Sequence, residues 1–236
     1  MTLNDILLIS AQFLAAMLVI SLHEFAHAFA AHKCGDDTAK LQGRMTLNPF
    51  KHFDLLGGLC FAVAGFGWAK PVPVNPNNFD NYKKGSFWTA IAGVLANYLS
   101  AFLFFPILVL VYKFILPHVA GTYLFSFLYA LFSSLYAMSL SFCVFNLLPL
   151  HPLDGFKILE ASNTKRGKVY WFLQQYGYYL LMALVVVHYL AGRIALLSYV
   201  DVLGYFLYFA RNILGRPISL LWNWIFSLFG IYSPFI

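Results

Sequence analysis

The stretch LVISLHEFAHAFAAH (residues 18–32) places His23, Glu24 and His27 inside an apolar run that covers residues 5–31. About 20 consecutive apolar residues are enough for a helix to cross a bilayer. Titratable side chains are costly in lipid, and where they occur there they tend to mark functional sites. The run therefore predicts a membrane-spanning helix that carries a functional site.

The composition extends this prediction to most of the chain. Of the 236 residues, 61% are hydrophobic and only 10% are charged, whereas a soluble domain has about 45–50% apolar and about 25% charged residues. The net charge of +6 is carried by residues between apolar runs, so we attribute it to membrane orientation and expect no nucleic-acid partner. Three separated cysteines without a CxxC pair support neither a disulfide framework nor a thiolate zinc site.

The apolar runs predict an all-α polytopic membrane protein with about six transmembrane helices. The first part of the chain, residues 1–160, is predicted to form a catalytic core with helices at about residues 5–33, 87–116 and 122–148. Later apolar runs at residues 170–190, 194–210 and 217–236 predict additional C-terminal transmembrane or interfacial helices in residues 161–236, and the last run could cross or lie in the interface.

The connector, residues 34–86, is predicted to contain a small β or re-entrant hairpin. The glycine-rich run at residues 57–68 is too short to cross a bilayer as a helix. Elsewhere in the connector, the TLNPF and KPVPVNPNNF stretches hold alternating or proline-bearing residues, which predict short strands or extended segments. If residues 54–68 do not cross, all lysines and arginines except Lys113 and Arg193 share one side, which the positive-inside rule makes cytoplasmic.

The H-E-x-x-H pattern predicts a zinc site. It places two imidazoles one helical turn apart on the same face of a helix, where both can bind one Zn²⁺. The glutamate between them can reach a metal-bound water, whose pKa zinc lowers toward about 7. The alternative is a polar patch in which His23 and His27 bond to neighbouring carbonyls, but a buried Glu24 would then need its own partner.

A catalytic zinc takes three protein ligands, so a third ligand must come from another segment. The best candidate is Asp154 in NLLPLHPLDGFKIL, which follows a predicted span that ends on the same side of the membrane as the histidines. Two prolines before it interrupt the helix and free the backbone to direct the carboxylate inward. The same residue could instead serve only as the N-cap of the next helix.

These motifs resemble those of the site-2 protease family of intramembrane zinc metalloproteases, in its compact form without PDZ or CBS domains. The resemblance rests on HEFAH, on AGVLANYLSA with Gly93 and Asn97, on NLLPLHPLDG, and on the connector stretches, and it covers about residues 20–160. It implies a fold with the active site inside the membrane, near the cytoplasmic side, in the inner or plasma membrane of a prokaryotic cell.

The resemblance also implies roles for individual residues. His23, His27 and Asp154 would hold one zinc ion per chain, with Glu24 as the catalytic base. Asn146 would help hold the substrate strand or the oxyanion, and Asn97 would act similarly; for both, the alternative is an interhelical hydrogen bond. His151 departs from the family pattern, as an interfacial side chain or as a group near the metal.

The predicted function is hydrolysis of peptide bonds in or near transmembrane segments of membrane-anchored proteins, within the lipid bilayer. One alternative is a divalent-metal transporter, but such pathways carry acidic or polar groups at successive depths, and the later spans offer chiefly Asp201. Another alternative is a catalytically inactive scaffold of the same fold. A scaffold has no need of the complete set of metal ligands and base.

Overall fold

The computed structural model describes residues 2–64, 67–162 and 166–235. Within these ranges the chain is all-helical, as predicted, and contains no β-strand. The α-helices are α1 (Leu3–Lys33), α2 (Thr38–Leu41), α3 (Pro49–His52), α4 (Leu55–Ala64), α5 (Tyr82–Leu110), α6 (Tyr123–Asn146), α7 (Asp154–Ser162), α8 (Lys168–Ala191), α9 (Ala195–Ser198) and α10 (Val202–Ser227).

In the part of the chain that the structure describes, three helices are long and apolar enough to cross a membrane, which indicates a membrane protein. They are α1, α5 with its π- and 3₁₀-helical continuation to Val119, and α6. The three pack against one another. On α1 the buried face is lined by small residues, among them Ala11, Ala15 and Ala28, each with no exposed surface. Small residues let helix backbones approach closely in lipid, where no hydrophobic driving force holds helices together.

The later helices differ from the predicted segments. Residues 194–210, expected as one span, are divided between α9 and α10, and α10 continues through Arg211 and Arg216 to Ser227. Asp201 starts α10 by accepting a hydrogen bond from the Gly204 amide at 2.8 Å, which is the usual role of an N-cap carboxylate. The predicted six spans are not confirmed and remain a prediction. The predicted β hairpin is not confirmed either, since the described residues contain no β-strand.

The glycine-rich run begins as a helix and folds back on itself. Asp54 caps α4 by accepting from the Gly57 amide at 2.8 Å, and a Cβ on Gly57 would meet the backbone of Trp68. Beyond the run, the Lys70 amide donates to the His52 carbonyl at 2.9 Å. The two ends of the run therefore lie side by side; residues 65 and 66, within the predicted hairpin, lie outside the described ranges, as does Lys165.

A buried carboxylate holds the connector next to the end of α1. Asp36 has no exposed surface and accepts hydrogen bonds from the Asn75 amide at 2.7 Å, from Asn78 Nδ2 at 2.8 Å and from the Thr38 amide at 3.1 Å. Burial by itself raises the pKa of Asp36, but the hydrogen bonds from Thr38, Asn75 and Asn78 together hold this pKa below its ordinary value. The carboxylate thus stays charged and holds the end of the segment at residues 70–75.

Candidate metal centre

Two histidines of α1 and one aspartate of α7 meet at a single point. His23 Nε2 and His27 Nε2 lie 3.0 Å apart. Asp154 Oδ2 lies 2.9 Å from His27 Nε2 and 3.2 Å from His23 Nε2. All three residues are buried. The structure therefore brings together the three residues that the sequence predicted as metal ligands.

The loop between α6 and α7 delivers Asp154 to the histidines. Helix α6 ends at Asn146, and the loop with Pro149 and Pro152 turns the chain before α7 starts at Asp154. A Cβ at Gly155 would clash with the backbone at Leu147, so α7 sits directly against the end of α6. Since only glycine permits this approach, Gly155 helps fix where the Asp154 carboxylate lies.

Helix α5 packs directly against the two imidazole rings of the centre. A Cβ at Gly93 would lie 2.6 Å from His23 Cε1 and 2.7 Å from His27 Cε1, closer than real Cβ contacts occur. Any larger residue would push α5 or the imidazole rings out of place. Packing against the imidazoles therefore explains why position 93 is a glycine, which the sequence motif alone did not explain.

Helix α5 also sets which ring nitrogen of each histidine carries a proton. His27 Nδ1 lies 2.7 Å from the Thr89 carbonyl, which can only accept, so His27 Nδ1 carries a proton. The Asn97 side chain, fully buried, lies 3.0 Å from His23 Nδ1 through Nδ2 and leaves its Oδ1 without a partner among the described residues. Exchanging these two amide atoms lets Oδ1 accept from His23 Nδ1–H.

With both Nδ1 atoms protonated, the two Nε2 lone pairs and Asp154 Oδ2 face one another. Three acceptors at 2.9–3.2 Å repel one another unless a proton or a cation lies between them. Ligands of a tetrahedral zinc with bonds of about 2.0–2.1 Å lie about 3.3 Å apart. Imidazoles whose other nitrogen is bonded to a carbonyl or amide are typical of metal sites. The three residues therefore fit a zinc ion.

Glu24 lies beside the three ligands and is held by the connector. Its Oε2 accepts a hydrogen bond from the Val72 amide at 2.9 Å. Arg44 also fixes this segment, because its Nη2 donates to the Lys70 carbonyl at 2.7 Å and to the Pro71 carbonyl at 3.2 Å. One oxygen of the Glu24 carboxylate is thereby oriented by the backbone of a segment distant in sequence.

A cavity of about 470 Å³ opens onto these groups. Its wall contains the three metal-ligand candidates and Glu24, together with Val72, Val74 and Asn146. Proteins usually bind small molecules in concave sites of this size that combine apolar walls with a few polar groups. The cavity leaves the candidate metal centre accessible from outside the protein.

The remaining predicted residues lie in different places. Asn146 lies in the cavity wall, and its Nδ2 donates to the Phe142 carbonyl at 3.0 Å. The Asn97 side chain contacts His23 Nδ1 and so orients this imidazole. His151 is exposed and packs edge-on against Phe156, with ring centroids 5.6 Å apart.

Sequence reasoning missed three features of the site. Nothing in the sequence signals that the Val72 amide reaches Glu24, because the contact spans 48 positions. The close approach at Gly93 could have been suspected from its spacing of one turn before Asn97. The third feature is the contact of Lys157 with Asp154. Its signal in the sequence is the spacing of three residues, which places both side chains on the same face of a helix.

The fold and the site define a class: a helical membrane protein with a buried His-His-Asp centre beside a glutamate. The chain is 45% identical to the Bacillus subtilis protein named "Putative zinc metalloprotease YwhC" over 152 residues, which cover 63% of this chain and 68% of that protein. It is 28% identical over 180 residues to "Putative zinc metalloprotease Rip2" of Mycolicibacterium smegmatis, covering 72% of this chain and 64% of that protein.

The chain belongs to the family of these zinc metalloproteases, the site-2 protease family that its motifs predicted. No family model matches the chain, and no solved structure matches it. The relationship supports a metalloprotease function.

Proposed function

We propose that this chain is an intramembrane zinc metalloprotease that cuts membrane-anchored proteins in or near their transmembrane segments. The observation that carries the proposal is the convergence of His23, His27 and Asp154 beside Glu24, on a helix long and apolar enough to span a membrane. The names of the two relatives support the zinc and the proteolysis.

We propose that the N-terminus lies outside and the active site lies near the cytoplasmic face of a prokaryotic inner or plasma membrane. His23 is eighteen residues from Asp5, so it lies about 27 Å along the helix at 1.5 Å per residue, in a hydrocarbon core of about 30 Å. The side-by-side ends of the 57–68 run support a re-entrant hairpin, which keeps the basic connector cytoplasmic. The further membrane crossings that we propose, beyond those of α1, α5 and α6, are formed by residues after Lys168.

The substrate is proposed to bind as an unwound strand next to residues 70–75. A transmembrane helix hides its carbonyls in its own hydrogen bonds, so it must open locally before it can be cut. Val72 and Val74 line the cavity, and an extended peptide laid beside them would pair with main-chain groups, as in β-strand addition. The partner is thus a membrane-anchored protein.

In the proposed mechanism, His23, His27 and Asp154 hold the zinc ion. Zinc, when bound, supplies a Lewis acid for the scissile carbonyl and for the attacking water. Glu24 accepts the proton of that water and passes it to the leaving amine. The Val72 amide holds Glu24 Oε2, which leaves the other oxygen for the proton, and Asn146 contributes a polar side chain to the cavity wall that receives the substrate.

The contact between Val72 and Glu24 gives a testable prediction. Val72→Pro removes the amide hydrogen that contacts Glu24 and replaces the valine side chain by a proline ring, in a segment that already carries Pro71 and Pro73. A hydrogen bond to a charged group contributes about 1.5–3 kcal/mol, so we expect kcat to fall about tenfold or more with zinc content unchanged. The measurement is steady-state cleavage of a membrane-anchored substrate in detergent.

Val74→Pro serves as the matched variant, since it removes an amide hydrogen of the same segment that does not contact Glu24. We expect it to raise KM and to leave kcat near the wild-type value. If Val72→Pro kept its full kcat, the positioning role of the amide would be wrong.

The experiment that tests the proposed function compares proteolysis with metal transport in one preparation. Purified protein is placed in vesicles with a tagged single-pass substrate and a zinc-sensitive dye inside. We expect cleavage of the substrate, its loss on treatment with a chelator, its return with added zinc, and no zinc uptake. Zinc uptake without cleavage would contradict the proposal and favour the transporter; a tagged protein without a transmembrane segment is the control substrate.

A further inference from the structure

The two oxygens of the Asp154 carboxylate have different partners. Oδ2 faces the two imidazoles at 2.9 and 3.2 Å. Oδ1 accepts a hydrogen bond from Lys157 Nζ at 2.9 Å. The Asp154 side chain is 5% exposed and the Lys157 side chain 57% exposed, so the lysine reaches from the cavity edge to a buried carboxylate.

The start of α7 sets this arrangement. Residues three apart on a helix lie on the same face, so the first turn of α7 places Lys157 beside Asp154. The close seat of Gly155 against the end of α6 fixes where this turn begins. The orientation of the carboxylate is therefore fixed by α7 itself, before any metal is bound.

Lys157 is free of other ion pairs within the described residues, whereas the nearby cation Arg166 is engaged elsewhere. Arg166 lies 3.4 Å from Glu160 Oε1 and stacks on the Tyr170 ring at 5.2 Å. Both cations line the cavity, but only Lys157 contacts a metal-ligand candidate. A charge-assisted hydrogen bond of this length is about twice as strong as a neutral one.

We propose that Lys157 is a positioning residue that restricts Asp154 to binding zinc through Oδ2 alone. The proposal rests on the proposed function, because it concerns the same metal. By occupying Oδ1, the lysine prevents the carboxylate from binding the metal through both oxygens. Catalytic zinc sites need a position free for water or substrate, and one-oxygen binding by Asp154 preserves it.

Removing the lysine charge releases Oδ1. The carboxylate can then rotate toward solvent, which weakens metal binding, and in the molecules that keep the metal its second oxygen is free to fill the open position, which changes the coordination. Loss of groups that orient metal ligands costs about 10–100-fold in metal affinity or activity. Lys157→Met is therefore expected to weaken zinc binding about 10–100-fold, and Lys157→Arg, which keeps the charge and the donor, to stay within a few fold of wild type.

The experiment measures zinc affinity by competition with a chromophoric chelator, and the visible spectrum of the Co²⁺-substituted protein, in the full chain in detergent. The variants are Lys157→Met, Lys157→Arg and the control Lys40→Met. Lys40 forms an ion pair at 3.8 Å with Asp37, three residues before it. This pair has the same sequence spacing as Asp154 and Lys157 but lies away from the metal ligands. We expect Lys157→Met alone to lose affinity and to change the intensity of the Co²⁺ bands.

Lys157→Met that binds zinc with wild-type affinity and shows the wild-type Co²⁺ spectrum would overturn this inference and leave the proposed function intact. If Lys157→Met fails to fold, Lys157→Leu, which also lacks a donor to Oδ1, is measured in its place and must show the same loss. Wild-type protein that binds neither zinc nor Co²⁺ would contradict the proposed function itself.

Discussion

Glu24→Gln is expected to abolish peptide hydrolysis while zinc stays bound. The amide has nearly the same shape as the carboxylate and can still accept from the Val72 amide through its oxygen, but it cannot accept the proton of the attacking water. General-base catalysis contributes about 10²–10⁴-fold, so we expect a fall of at least that order in kcat. Zinc content and thermal stability are expected to remain near wild type, because Glu24 is not among the three converging ligand candidates.

The control for this variant is Glu160→Gln. The chain has only two glutamates, Glu24 and Glu160, and Glu160 accepts a hydrogen bond from the Tyr170 hydroxyl at 2.8 Å, which a glutamine oxygen can also accept. We expect Glu160→Gln to retain most of its activity. Cleavage at the wild-type rate by Glu24→Gln at equal expression would remove Glu24 from the mechanism.

Gly93→Ala is expected to remove both the metal and the activity. Its new Cβ would collide with the two imidazole rings, so either the rings or α5 must move and the rings leave their positions beside Asp154. Overpacking of this kind costs about 1–3 kcal/mol of stability, and a displacement of about 1 Å in a catalytic site can cost about 10²-fold. We therefore expect zinc affinity and kcat/KM each to fall about a hundredfold or more.

Gly167→Ala is the matched control, since a Cβ at Gly167 meets no atom within 4 Å. Both variants are measured for zinc content, cleavage and thermal unfolding. Gly93→Ala that kept full zinc content and activity would show that the approach of α5 to the histidines is less tight than the structure has it.

The sequence predicted which three side chains converge because the signals that place them are local. The spacing of His23 and His27 fixes them on one helical face, and the prolines before Asp154 signal a break that delivers a carboxylate. The hydrogen-bond partners of the ligands were harder to predict. Thr89 acts through its backbone carbonyl, and a carbonyl has no side-chain identity for a motif to report.

The sequence predicted the membrane helices only in part. The apolar runs identify α1, α5 and α6 because each run is long enough to cross a bilayer and too apolar to be exposed to water. The region of α9 and α10 was divided differently, because Asp201 as an N-cap and the continuation of α10 through Arg211 depend on local capping and packing rather than on hydropathy. The connector segment at residues 70–75 is held by Arg44, Asp36 and Glu24, which are long-range contacts that no local pattern predicts.

X-ray absorption at the zinc edge, combined with metal analysis of the purified chain, tests the central claim most directly. We predict one zinc per chain, with only nitrogen and oxygen ligands at about 2.0–2.1 Å, and loss of this signal in His27→Ala. A sulfur ligand at about 2.3 Å, or a chain that holds no zinc when zinc is supplied, would contradict the account.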